Sequence, residues 1–221
     1  MHSYADKATS YFGNARKDIA PLLPNTLGHV LEVGCGSGAT LAWLQRERGC
    51  DSTTGIELFA GAAASARAQV DHVLCGAAEE MLHQLPAQQQ FGLVLCLDVL
   101  EHMVDPWAFL QALVPRLSLG GQIIISLPNV RFIGVLAPLL LQGQWTYRED
   151  GVLDRTHLRF FTRKTALELV KGTGLEVLGH RGNAPPTRTG VGKLDQATFG
   201  LLKEFTAYQW LISARREVSL S

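Results

Sequence analysis

Charge of either sign is scarce in this chain, and neither sign is in excess. Lysine plus arginine number 20, aspartate plus glutamate number 20, and together they are 18% of 221 residues. Such a balance gives no global field that would draw in nucleic acid or an anionic membrane. Cysteine is sparse as well. Cys35, Cys50, Cys75 and Cys96 stand far apart and never form C-x-x-C, which excludes a zinc ribbon or a redox pair of that spacing. A chain this long builds its core without disulfide staples. Free thiols in a reducing cytosol, and a cytoplasmic location, are therefore expected. Long hydrophobic runs are missing too. The apolar stretch Phe132–Leu141 is broken by Gly134 and Pro138 and is too short to span a bilayer; it could line a pocket or touch a membrane surface. The N-terminal MHSYADKATS lacks an apolar h-region, so no signal peptide is expected. No internal repeat or low-complexity tract is visible.

What is present is ordinary globular composition, with 47% hydrophobic residues, enough for one domain with a sizeable core. The most informative stretch is Val30-Leu31-Glu32-Val33-Gly34-Cys35-Gly36-Ser37-Gly38. An apolar run ends in an acid, glycine recurs at every second position, and a helical pattern follows over Ala39–Arg48. This reads as strand, tight loop and helix, a loop in which a ligand can approach the backbone closely. Glu57 ends the next apolar segment, at the right distance to take ribose hydroxyls.

Further strands are expected at Leu27–Glu32, Ser52–Glu57, His72–Cys75, Phe91–Leu97 and Gln122–Ser126. The run FGLVLCL suits a central strand buried on both faces. Helices are expected over Lys7–Ile19, Ala60–Gln69 and Pro106–Leu117, the last opened by Asp105 and Pro106 and stopped by Gly120-Gly121. The alternation implies a doubly wound, Rossmann-like α/β fold with a parallel sheet. Residues 129–161 break the rhythm and read as an insertion over the carboxyl edge of the sheet after strand 5, where ligands bind in such folds. Thr162 then caps a helix over Lys164–Gly172. A strand at Leu175–Gly179, a loop at Ala184–Gly192, a helix at Leu194–Phe205 and a last strand at Ala207–Ala214 complete the pattern.

The markers LEVGCGSG, GIE at 55–57, FGLVLCLDVLEHMVDPW at 91–107 and LGGQIIISLPN at 119–129 together resemble class I S-adenosylmethionine-dependent methyltransferases. The block LPNVRF…WTYREDGVLDRTHLRFFT is similar to a bacterial subfamily associated with sugar or cell-surface glycan pathways. The resemblance implies a single methyltransferase domain over 1–221, with residues 1–24 as an N-terminal lid helix and 129–161 on the acceptor side. It implies seven strands, mostly parallel, the last antiparallel. S-adenosylmethionine is the cofactor implied. Its site would hold Tyr11, Arg16, Glu32, Gly34, Gly36, Gly38, Glu57, Leu58, Ala77, Leu97 and Asp98. Glu32 either holds the loop by accepting backbone N–H bonds or lies near the methionine amino group. Tyr11 and Arg16 resemble a Tyr…Arg lid element whose arginine could pair with the cofactor's carboxylate. Two positions depart from the family pattern: Gly76-Ala77-Ala78-Glu79 lacks the aspartate that often contacts the adenine amine, and Gly92 replaces the usual acid before strand 4.

Methyl transfer to a hydroxyl benefits from a base. His102 and His157 are the candidates, histidine being the side chain that titrates near neutrality. Asn129, Arg155 and Arg159 are candidate acceptor contacts, since arginine's planar fork suits an anionic or polar group. The acceptor expected is a small molecule such as a sugar, a nucleotide sugar or a phenol, with no nucleic acid and no membrane span. Asp98, Glu101 and His102 also resemble the E-x-x-E-H segment of ubiquinone-pathway O-methyltransferases, where a divalent ion can assist. Only part of an oxygen-rich ligand set is visible, and the reading preferred is a helix cap and substrate contact without metal. Two rival functions remain open. Gly34-x-Gly36-x-x-Ala39 satisfies a relaxed dinucleotide fingerprint, which would suit an NAD(P)-dependent oxidoreductase. A non-catalytic cofactor-binding module on the same scaffold is the other.

Overall fold

The computed structural model describes residues 14–184 and 190–217. Seven strands form one sheet: β1 (His29–Val33), β2 (Ser52–Glu57), β3 (His72–Cys75), β4 (Phe91–Leu97), β5 (Leu117–Pro128), β6 (Glu176–Asn183) and β7 (Gln209–Arg215). Their order is β3-β2-β1-β4-β5-β7-β6. The first five pair in parallel, and β7 runs antiparallel to both β5 and β6. The order reverses at β1, so β1 and β4 flank the crevice where ligands lie in open α/β sheets.

Eight helices are described: α1 (Ala39–Arg48), α2 (Ala60–Ala66), α3 (Ala78–Gln84), α4 (Pro106–Leu113), α5 (Ile133–Gln142), α6 (Arg163–Lys171), α7 (Gly190–Ala197) and α8 (Lys203–Thr206). Alternate residues of the central strands feed two cores. On one face Val30, Leu93 and Leu95 meet Leu41, Trp43 and Leu44 of α1, with Ile19 from the N-terminal segment. On the other, Leu31, Val33, Val94 and Cys96 meet Leu82 of α3, Phe109 and Leu110 of α4 and Leu169 of α6. Burial on both faces explains the continuous apolar run of β4.

Several boundaries differ from the sequence reading. The expected helix Lys7–Ile19 lies outside the described residues up to position 13. Its described part gives way to a 3-10 turn, Lys17–Leu22, that carries Pro21 inside it. A single 3-10 turn requires few N–H donors and tolerates the proline. Helix α2 ends at Ala66, where Ala68 and Gln69 close tighter turns and Val70 tucks into the core. Helix α4 ends at Leu113, because Pro115 has no N–H to continue it, and a 3-10 turn Val114–Arg116 follows. Gly120-Gly121 therefore stops no helix: it lies within β5, beside an irregularity where the pairing with β4 shifts between Phe91 and Leu93. Strand β6 extends to Asn183, held by its ladder to β7. The single helix expected over Leu194–Phe205 is two, broken where Phe199 and Gly200 take positive φ. Most of the expected loop Ala184–Gly192 falls on residues 185–189, outside the described residues, and α7 already begins at Gly190. The segment 129–161 contains α5, with Pro138 inside it.

Gly92, the departure before strand 4, has a packing reason. A Cβ there would lie 2.4 Å from the Leu27 carbonyl oxygen, so the turn entering β1 leaves no room for a side chain.

Candidate active site

A cavity of about 780 Å³ opens at the carboxyl ends of β1, β2 and β4. Its wall includes Glu32, Gly34, Gly36, Glu57, Leu58, Ala77, Leu97 and Asp98, together with Arg16 and His102. The loop after β1 supplies one side of it. Gly34 has φ 71°, and a Cβ there would come within 2.3 Å of a Val99 methyl, so the loops after β1 and β4 touch only because position 34 is glycine. Glu57 braces this loop. One carboxylate oxygen accepts the Gly36 N–H at 2.8 Å and the other accepts the Phe59 N–H at 2.9 Å. A carboxylate has about four lone-pair sites, so two remain for hydroxyl donors from a ligand.

Glu32 is buried and in hydrogen-bond contact with the Thr40 hydroxyl. Its Oε2 is buried with no hydrogen-bond partner. Burial pushes its carboxyl up to about 8, opposed by Arg16 and aided by Glu57. Among the described residues no loop N–H is bonded to it and one oxygen is left without a donor.

Asp98 takes φ 57°, unusual for a non-glycine residue. Its carboxylate is held from three sides. Oδ1 accepts from the Ser126 hydroxyl at 2.8 Å and from the Gln209 amide at 2.5 Å, and Oδ2 accepts from the Arg16 guanidinium at 2.5 Å. Arg16 also bonds Asp18 and Gln209. Burial would lower the guanidinium's pKa, but the Asp98 and Asp18 carboxylates drive it further up. Strand β7, through Gln209, and the N-terminal segment, through Arg16, thus meet on one residue at the end of β4.

At the far end of the cavity stands His102, in the 3-10 turn Leu100–His102. Its Nδ1 lies 3.2 Å from the Thr156 carbonyl and 3.1 Å from the Thr156 hydroxyl. A carbonyl only accepts, so Nδ1 carries the proton and Nε2 is the basic nitrogen of the neutral ring. Thr156 in turn donates to Asp154 at 2.7 Å. His157 does not line the cavity. It is buried behind His102, ring edge to ring face at 4.7 Å, with Nδ1 on the Val152 carbonyl at 3.0 Å. Its Nε2 is 3.9 Å from Glu101. Burial, reinforced by the Asp98 charge, holds the Glu101 carboxyl well above its ordinary pKa.

A family profile described as a methyltransferase domain matches residues 5–180. The chain belongs to the class I S-adenosylmethionine-dependent methyltransferases. It is 34% identical over 181 residues to the ubiquinone biosynthesis O-methyltransferase of Pseudomonas aeruginosa, covering 72% of this chain and 75% of that protein. It is 32% identical over 160 residues to the protein of the same name from Idiomarina loihiensis, covering 66% of this chain and 64% of the relative, a little under two thirds of its length. An S-adenosylmethionine-dependent methyltransferase structure from Mesorhizobium loti superposes with a TM-score of 0.62 at 18% identity, covering 96% of this chain and 99% of that one. That likeness shows the shared fold.

In this methyltransferase the expected acceptor contacts are not gathered at the cavity. Asn129 is fully buried, donating to the Glu204 and Ala207 carbonyls and accepting the Arg131 N–H, so it ties β5 to the segment before β7. Arg155 is exposed and paired with Glu149. Arg159 bonds the Val104 carbonyl and lies over the Trp107 ring. Gly38 caps α1 and packs against Val70 outside the cavity wall. Tyr11 lies outside the described residues. The cavity brings in residues that the sequence did not single out: Gln209, Thr156, Met103 and Tyr208. Only Tyr208 and Gln209 had a signal available, as polar residues opening an otherwise apolar last strand. Among the described residues no helix is long and apolar enough to cross a membrane.

Proposed function

We propose that this methyltransferase transfers the methyl group of S-adenosylmethionine to an oxygen of a small molecule, a phenol, sugar or nucleotide sugar. The observation that carries the reading is the cavity at the switch point of the sheet, where two buried carboxylates, Glu57 and Glu32, face a glycine loop. Its volume falls in the range of small-ligand sites, about 300–1,000 Å³. When bound, the donor supplies a methyl on a positively charged sulfur, a good leaving group.

The residues present fit such a donor. The remaining lone pairs of Glu57 suit a ribose diol. The orphaned Oε2 of Glu32 suits an ammonium, which would also hold that carboxyl in its charged form. Asp98, locked by Arg16, Ser126 and Gln209, orients the end of β4. His102, at the cavity wall, would help an acceptor hydroxyl lose its proton as base through Nε2. His157, outside the wall, supports it from behind. The name of the relatives, ubiquinone biosynthesis O-methyltransferase, supports oxygen as the acceptor atom. The free state of all four cysteines suits a reducing cytoplasm.

The test has two parts. S-adenosylhomocysteine should raise the melting temperature by mass action and NADH should not. A panel of phenols, sugars and nucleotide sugars with methyl-labelled donor should then yield labelled product. Stabilisation by NADH, or donor binding with no transfer to any acceptor, would overturn the reading.

A further inference from the structure

We propose that the cavity selects an acceptor without an anionic group, which removes the nucleotide sugar from the acceptors named above and leaves an uncharged phenol or sugar. The inference rests on the methyl-transfer reading and narrows it. The carboxyl groups of Asp18, Glu32, Glu57, Glu79 and Asp98 line the wall. Among the described residues Arg16 is the one lysine or arginine there, and its guanidinium is already shared by Asp18, Asp98 and Gln209. Around His102 the wall is built by Met103, Val104 and Thr156, none of which carries a charge. The arginines that the sequence offered to an anion, Arg155 and Arg159, are not part of it. A phosphate or carboxylate binds where a guanidinium or an ammonium can face it, and this wall has none to spare.

Two groups in the wall feel the same field. Burial first, and then the Glu32 and Glu57 carboxylates, push the Cys35 thiol up. Burial also raises the Tyr208 phenol; Arg16 opposes it, and Asp18 and Asp98 add to it. Both side chains are kept from becoming anions, and an anionic acceptor would meet the same two penalties, desolvation and repulsion. The Tyr208 backbone is fixed on both sides, its N–H on the Asn183 carbonyl at 2.9 Å and its carbonyl on the Asn129 N–H at 2.8 Å. Its protonated hydroxyl is therefore a neutral donor on a rigid base in the wall, suited to an oxygen of an uncharged acceptor. S-adenosylmethionine suits the same field, because its ammonium and sulfonium outweigh its carboxylate.

The experiment measures labelled methyl transfer within matched pairs, 4-methylcatechol against 3,4-dihydroxybenzoate and methyl glucoside against glucose 1-phosphate. In a pair that reacts, the uncharged member should have a kcat/KM at least about tenfold higher, the scale of one unit charge repelled across roughly 10 Å at an effective dielectric of about 20. The difference should sit in KM, because repulsion acts on binding. Rising ionic strength and Asp18→Asn should each narrow the ratio, since each weakens the field. Stabilisation by S-adenosylhomocysteine, measured on the same samples, reports folding and the donor site separately. An anionic member that reacts as well as its uncharged partner, or better, would overturn the inference and leave methyl transfer standing. So would a ratio indifferent both to salt and to Asp18→Asn, which would mark fit and not charge. Stabilisation by S-adenosylhomocysteine without transfer to any member of either pair would sink the acceptor reading above together with this one.

Discussion

Two acids at the carboxyl edge of the sheet stand in the proposed donor site, and each makes a separate expectation. Glu57 both braces the loop and offers lone pairs to a ligand. Glu57→Ala should weaken S-adenosylhomocysteine binding by about 1–3 kcal/mol, the scale of a lost hydrogen bond to a charged group. Calorimetry checks this, and unchanged affinity would remove it from the site. Glu32 makes a pH prediction. Its folded-state carboxyl titrates near 8 against an ordinary 4.5. The native state therefore keeps a proton that the unfolded chain releases. The contribution of Glu32 to stability is intact below about pH 4.5 and is lost as pH climbs towards 8. Glu32→Gln, neutral throughout, should gain melting temperature relative to the parent across that window and gain no more above it. An ammonium beside Glu32 favours its charged form, so donor affinity should rise with pH over the same range in the parent and stay flat in the variant. A parallel pair of melting-temperature profiles would refute the assignment. The glycine loop, Glu57 and Asp98 were legible in the sequence because each sits at the end of a strand, where a linear pattern fixes position. Gln209, Thr156 and the Glu101–His157 approach were not, since they arise only when distant segments meet. Arg155 and Arg159, read as acceptor contacts, do not line the cavity, for the converse reason. A charged block looks like a ligand-binding surface in sequence, yet here it pairs with Glu149 and with a backbone carbonyl.

At the level of elements, the sheet was readable and its seams were not. Periodicity located β1 to β4 closely, because buried parallel strands announce themselves as apolar runs. The α4–β5 junction failed because glycines that look like a helix stop belong to an irregular strand. That junction and the β1 entry meet at Gly92. Gly92→Ala would drive a methyl to 2.4 Å from the Leu27 carbonyl, and the expected cost is about 1–3 kcal/mol of strain. Urea unfolding should show the midpoint falling with its slope unchanged. A variant as stable as the parent would mean that the turn at Leu27 yields freely. The helix α5 was hidden in sequence by Gly134 and Pro138. It forms nonetheless, with Val135 buried while Leu140 and Leu141 face outward.

Over the whole molecule, the segment 129–161 is the part that departs from the alternating pattern, and its docking is specific. Leu158 and Arg159 fasten it to the turn at Glu101, while Thr156 reaches His102. Binding of donor and acceptor should therefore slow amide exchange across residues 152–159 more than across α6 or β6, none of whose residues line the cavity. Equal protection in all three would place the acceptor elsewhere. The fold class, the seven strands and the antiparallel last strand all agree with the family resemblance carried by the sequence. The contacts of Arg16 were beyond it, because its partners Asp98, just after β4, and Gln209, on β7, follow much later in the chain.

The position of β7 has a consequence for how the protein is made. Strand β6 leaves the ribosome before β7, yet β7 is its ladder partner and lies between it and β5. For that interval the nascent chain exposes two open edges, the outer side of β5 and the whole of β6, and they must not join each other directly. A premature parallel pairing of the two would exclude β7 and leave Asp98 without Gln209. Synthesis order and spatial order disagree here, and the glutamine that lines the cavity arrives with the strand that resolves the disagreement.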